Sequence, residues 1–311
     1  MEKSHLPATI ILATLVSCAS TDSLTLKNMK SPPELNRVSY LSETTGKERD
    51  YFVYLPAGYH SEPNRKWPVM LFLHGNGERG NAKDELDYVL VHGPLFEAWA
   101  QKRDLPFIIV APQLPMYGMD DHNDYFDNRT RDIIPQRLET GVPPRHKTSE
   151  IPYPMTAEPP PDELPHPPEG PILGWFMLEN DLISILDQVV TGFSADENRV
   201  YLTGISYGGF GSWYMAGKHP ERFAAVAPVV GYGHPDLTEP IARHQIPLWA
   251  FAGGRDNAVP PNHFYPALNA LESYGHKNVL FTIHADLGHD AWKRIYAGHD
   301  LYDWMLEQRR E

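Results

Sequence analysis

At 311 residues the chain has room for one large α/β domain or two ordinary ones, and 41% hydrophobic with 22% charged residues excludes a wholly disordered protein. A formal net charge of −13 excludes a dedicated nucleic-acid binder, which needs a surplus of Lys and Arg against phosphate. A single cysteine excludes an intramolecular disulfide and a cysteine-built zinc cluster, and the 30 prolines are about twice ordinary usage.

The chain starts with a weakly charged Met-Glu-Lys-Ser-His, then an apolar stretch from Leu6 to Ser17. That stretch is too short for a mature membrane span and reads as a signal peptide over residues 1–17. Leu15-Val16-Ser17-Cys18 resembles a bacterial lipobox, which makes Cys18 the expected lipidation site and the first residue of the mature chain. The expectation is a secreted protein of the cell envelope, tethered to a membrane by an N-terminal lipid through residues 18–36.

From about residue 37 the pattern is that of a folded domain, read as one unit over 37–311. Val38-Ser39-Tyr40-Leu41 and Tyr51-Phe52-Val53-Tyr54-Leu55 flank Thr44-Thr45-Gly46-Lys47, which predicts a β-hairpin. Apolar runs at 68–73 and 107–111 predict buried parallel strands. Helical spacing at Leu182, Ile185, Leu186 and Val189 predicts a helix over 180–190. Further strands are predicted at 199–202, 223–230, 247–251 and 279–283, and helices at 207–218, from Pro260-Pro261 to Ser273, and at 301–308. This alternation predicts an α/β fold: a mostly parallel sheet with helices on both faces. Residues 117–171 break the rhythm, holding 12 of the 30 prolines, and are read as an irregular insertion in the position of a lid.

The sharpest chemical signal is Gly204-Ile205-Ser206-Tyr207-Gly208, between a predicted strand and a predicted helix. That context is the one a nucleophile elbow requires: glycines leave room for a tight turn that holds a serine hydroxyl above the sheet. A serine needs a general base oriented by a third group. His289, after the 279–283 strand, is the candidate base, and Asp256, after the 247–251 strand, the candidate acid. Ser…Asp…His is the chain order of an α/β-hydrolase. Asp290 competes with Asp256 for the acid role, and His284 reads as a strand residue. Acyl transfer also needs amide donors for the developing oxyanion. These are expected from Tyr207 and from the Gly-rich loop 74–80, at Asn76 with Gly77 next. His74 and Trp175 are weaker candidates for substrate contact, and for Trp175 a core position is the stronger reading. Glu78 and Arg79 are expected to pair with each other or brace the loop. The acidic stretch 120–127 lacks the spacing of a calcium loop and reads as solvated, so no metal is expected. Tyr117, Tyr125, Phe126 and Tyr153 are either a stacking surface or anchors of the insertion.

The combination of Leu73-His74-Gly75-Asn76-Gly77-Glu78-Arg79-Gly80, Ala111-Pro112-Gln113, the run from Arg199 to Gly209, the run from Pro220 to Pro228 and Gly288-His289-Asp290-Ala291-Trp292 resembles α/β-hydrolase-fold esterases of the dienelactone hydrolase, polyhydroxybutyrate depolymerase-like and feruloyl esterase group. The resemblance covers residues 37–309 outside the insertion, and Tyr207 stands where such proteins commonly carry Met. It implies a serine esterase with no cofactor, acting on a small-molecule or polymeric ester, with feruloyl or acetyl carbohydrate esters first. A prolyl-oligopeptidase-type peptidase and a non-catalytic carbohydrate- or polymer-binding lipoprotein are the alternatives.

Overall fold

The computed structural model describes residues 30–141 and 158–311. The expected signal peptide, Cys18 and Tyr153 lie outside those residues. Among the described residues no helix is long and apolar enough to cross a membrane.

The predicted hairpin forms from β1 (Glu34–Leu41) and β2 (Glu48–Leu55), antiparallel, with Leu41 opposite Glu48. Then come β3 (Trp67–Leu73), β4 (Ile108–Ala111), β5 (Ala195–Ile205), β6 (Ala225–Val229), β7 (Leu248–Gly253) and β8 (Val279–His284). They make one sheet in the order β1-β2-β4-β3-β5-β6-β7-β8. Only the pairings of β2 with β1 and β4 are antiparallel.

The central strands read as unbroken apolar runs because both faces are covered. Along β3, Val69, Leu71 and Leu73 enter one core cluster, while Met70 and Phe72 enter the other. The first face is covered by α1 (Glu179–Gly192), α2 (Tyr207–Lys218), α3 (Thr238–Arg243) and α4 (Tyr265–Ser273). The second is covered by residues 86–100, α5 (Trp292–Ala297) and α6 (Asp300–Glu307). α1 buries the four predicted positions Leu182, Ile185, Leu186 and Val189.

β5 starts four residues earlier than its apolar run. Its polar opening is still tied down: Asp196 accepts from Arg199 at 2.8 Å and from Arg309 at 2.9 Å, and Ala195 pairs with Trp67. The proline pair near residue 260 opens a short 3-10 turn, Pro261–Phe264, before α4 begins. The chain passes from β3 outward to β4 and returns to β5 on the other side of β3. The loops leaving β3 and β5 therefore diverge at a topological switch point, where open α/β sheets bind ligands.

The approach of these two loops is close. A Cβ on Gly208 would sit 1.8 Å from the Leu73 carbonyl oxygen, and one on Gly204 2.3 Å from that of Gly208. Both contacts are with backbone, which has nowhere to move. Gly208→Ala is expected to destabilise the protein by about 3 kcal/mol or more. Gly192→Ala, at the open end of α1, is expected to be neutral or stabilising by up to about 1 kcal/mol. Chemical denaturation of the two variants beside wild type checks this; equal effects would remove the close approach as the cause.

Candidate active site

Ser206 stands between the end of β5 and the first residue of α2, with φ 52° and ψ −114°. A non-glycine residue in that left-handed region costs about 1–3 kcal/mol and needs its surroundings to hold it. The Ser206 amide donates to the Val229 carbonyl at 3.0 Å, pinning the turn to β6.

Asp256 and His289 follow β7 and β8 and reach the same place. His289 Nε2 lies 3.0 Å from Ser206 Oγ, and His289 Nδ1 lies 2.7 Å from Asp256 Oδ2. Asp256 is buried, and its other oxygen, Oδ1, accepts from the amides of Ala258 and Val259 at 2.8 Å each. An ionised carboxylate only accepts, so the imidazole proton belongs on Nδ1 and Nε2 is left to accept from the serine hydroxyl. Trp292 sets its ring edge-on to His289, with centroids 5.4 Å apart. The competing acid, Asp290, is turned away and pairs with Lys293 at 3.1 Å. His284 ends β8, as expected.

The Gly-rich loop runs beside the serine turn. Asn76–Glu78 is a single 3-10 turn, and a Cβ on Gly75 would lie 3.6 Å from the Ile205 carbonyl. The first amides of any helix have no carbonyl partner within it, so those of Asn76, Gly77 and Tyr207 are free of the i−4 ladder. That is the property an oxyanion site requires.

His74 and Trp175 are both buried and make no surface for a substrate, so His74 is not a substrate contact and Trp175 takes the core position. His74 Nε2 accepts from the Leu114 amide at 2.9 Å, and its Nδ1 lies 2.6 Å from the Gly75 carbonyl. Burial pushes its pKa down to about 3, so the ring is neutral and spans two backbone groups. The Trp175 indole donates to the His74 carbonyl at 3.1 Å, packed under α2 against Gly211. Both residues brace the loop from beneath. Glu78 and Arg79 are not paired with each other, and Arg79 braces the loop, the other expected arrangement. Glu78 turns toward His74 and His92, 3.8 Å from each, while the Arg79 Nε donates to Asn76 Oδ1 at 2.5 Å.

The sequence gives no sign of Arg129 at this site. From inside the insertion it donates to the carbonyls of Gly77 (3.0 Å) and Arg79 (2.6 Å) and pairs with Glu85 at 2.7 Å. Gln113 was visible only as part of a motif. It is buried and bonds to Ala82, Glu78 and Glu85, locking the far end of the same loop. Tyr125 is half-exposed, with its ring 3.4 Å from where a Gly77 Cβ would stand. Among the described residues no group of three His, Cys, Asp or Glu side chains is arranged to hold a metal.

The prolyl oligopeptidase family model matches residues 179–241, which contain α1, β5, the serine turn, α2 and β6. The chain matches no curated protein. Among solved structures it is similar to a thermostable esterase, at 25% identity over 89% of this chain, with a TM-score of 0.59. The chain spans 63% of that esterase's length. A fluorophosphonate-binding serine hydrolase from Staphylococcus aureus aligns over 89% of this chain and 100% of its own at 14% identity, TM-score 0.54. A ferulic acid esterase from Anaeromyces mucronatus, in complex with ferulic acid, aligns over 89% and 90% at 19% identity, TM-score 0.51. The architecture is the α/β-hydrolase fold, a mostly parallel eight-stranded sheet with helices on both faces.

Glu78 gives this site a measurable pH signature. Burial raises its carboxyl from 4.5 to about 7. Between those values the folded chain holds a proton that the unfolded chain has released. The stability linked to Glu78 is therefore full below about 4.5 and is lost as pH rises through about 7. Urea unfolding at about pH 5 and about pH 8 is expected to show a smaller loss with rising pH in Glu78→Gln than in wild type. An equal loss would assign the dependence to other groups.

Proposed function

We propose that the protein is a serine-dependent carboxylic ester hydrolase working through an acyl-enzyme. The observation that carries this reading is the single imidazole of His289 within hydrogen-bond reach of both Ser206 Oγ and Asp256 Oδ2. In the proposed reaction His289 Nε2 takes the hydroxyl proton as Oγ attacks the ester carbonyl carbon. The carbonyl oxygen becomes an oxyanion facing the amides of Asn76 and Tyr207, with Gly77 alongside. Collapse breaks the ester C–O bond, and His289 returns the proton to the leaving alcohol. Water, deprotonated by the same nitrogen, then attacks the acyl carbon, releasing the acid and restoring Ser206. Asp256 fixes the imidazole tautomer and stabilises its charged form.

Feruloyl or acetyl esters of carbohydrates are the first substrate class, supported by the motif resemblance and by the fold shared with a ferulic acid esterase. The prolyl oligopeptidase match favours a peptidase as the second reading, but the matched segment, 179–241, excludes both Asp256 and His289. Cleavage of an aryl ester and not of the matching anilide separates the two. Ser206→Ala is expected to lower ester turnover by roughly 10⁴-fold or more and to abolish labelling by a fluorophosphonate. Retention of a tenth of the activity would assign the nucleophile elsewhere, and an unlabelled, folded wild type would favour a non-catalytic binding protein.

The same proposal places the enzyme in the cell envelope, supported by the apolar stretch Leu6 to Ser17 followed at once by Cys18. Metabolic labelling with a fatty acid is expected to mark wild type and not Cys18→Ser, which should leave the membrane fraction. Equal labelling of both would sink the anchor.

A further inference from the structure

Arg79 is fully buried beneath the oxyanion turn. Its three nitrogens donate in three directions: Nε to Asn76 Oδ1 at 2.5 Å, Nη1 to the Pro115 carbonyl at 2.9 Å, and Nη2 to the Leu173 carbonyl at 2.8 Å. Its guanidinium carbon lies 4.9 Å over the ring of Tyr207. All three acceptors are neutral. The phenols of Tyr207 and Tyr117 that it faces are themselves kept protonated by burial. A buried cation without a carboxylate is costly, and an apolar side chain of similar volume would fill the same space without that cost. Such a side chain would, however, leave the Asn76, Pro115 and Leu173 oxygens without this donor.

Resting on the esterase reading, we infer that Arg79 is a positioning residue for the oxyanion site, holding Asn76 and Tyr207, the two residues whose amides face the developing charge, in one fixed arrangement. Its remaining two bonds reach the backbone at either end of the proline-rich excursion, Pro115 before it and Leu173 after it, so the excursion is anchored to the same point. The planar fork matters, because a lysine ammonium cannot serve three divergent acceptors from one rigid plane. The charge matters too. Among the described residues it has no anionic partner in the resting site, and it acquires one when the carbonyl oxygen becomes an oxyanion, so its attraction is larger in the transition state than in the ground state.

The test compares wild type, Arg79→Met, Arg79→Lys, Arg79→Ala and Asn76→Ala with p-nitrophenyl acetate, and times the labelling of Ser206 by a fluorophosphonate. Arg79→Met is expected to lower kcat by about 10²–10³-fold with KM changed less than about threefold, and to slow labelling in proportion. Arg79→Lys is expected to recover only a small part of the loss. Guanidinium added at non-denaturing concentration should accelerate Arg79→Ala and leave wild type unchanged, a response that a purely structural arginine would not give. Asn76→Ala keeps the amide but removes the acceptor of Nε, and is expected to lower kcat by about tenfold or more. That variant keeps the inference open to refutation even where Arg79→Met does not fold. Wild-type labelling rates and kcat in the folded Arg79 variants, or an unchanged kcat in Asn76→Ala, would overturn the role of Arg79 alone. A wild type that neither labels nor cleaves the ester would overturn the esterase reading and this inference with it.

Discussion

The site depends on how closely the end of β3 meets the turn after β5. Leu73 and Gly204 are register partners, and the Leu73 carbonyl stands where a side chain on Gly208 would begin. Only glycine permits that contact. It places the loop leaving β3 beside the serine leaving β5. Ser206 is held in a strained conformation by its amide bond to Val229 on β6, which makes three adjacent strands responsible for one hydroxyl. Asp256 and His289 then need only to follow the next two strands to reach Ser206, and they do so from β7 and β8.

The second constraint is the fate of the carbonyls in the Gly-rich loop. Arg129 takes those of Gly77 and Arg79, and Arg49 takes those of Gly80 and Gln113. The arginines fix these oxygens in charge-assisted hydrogen bonds. The proline-rich excursion belongs to this arrangement. Its Arg129 is part of the wall behind the loop, and its two ends are tied to Arg79. Its described part is therefore continuous with the active-site scaffold rather than a cover laid over it.

Much of this was legible in the sequence for identifiable reasons. Buried parallel strands are unbroken apolar runs, so β3 and β4 could be placed to within a residue. The serine turn is marked by glycines that its own geometry demands. Asp256 and His289 were found because catalytic loops follow strands, not because either residue is distinctive. What could not be read were contacts between distant segments. The guanidinium of Arg129 acts about fifty positions from its own place in the chain, and nothing in its local pattern reports that. His74 and Trp175 look like site residues by their neighbours, yet a ring beside a functional loop can as readily support it from below. The short α5, only six residues long, gives too few turns for a period to show.

Charge separates what composition can say from what it cannot. The chain carries 40 acidic against 27 basic residues, which bears on partners approaching from solution. Around the Gly-rich loop arginines are concentrated instead: Arg49, Arg79 and Arg129 all donate to it, with Arg129 also paired to Glu85. Surface charges act through water and salt and fade over about 10 Å, whereas buried charges a few ångströms apart are screened far less. A charge buried beside this loop would feel these groups far more than it would feel the acidic surface. The burial that depresses the His74 pKa is reinforced by those same arginines, so the ring stays neutral and bridges the loop to Leu114, just past β4.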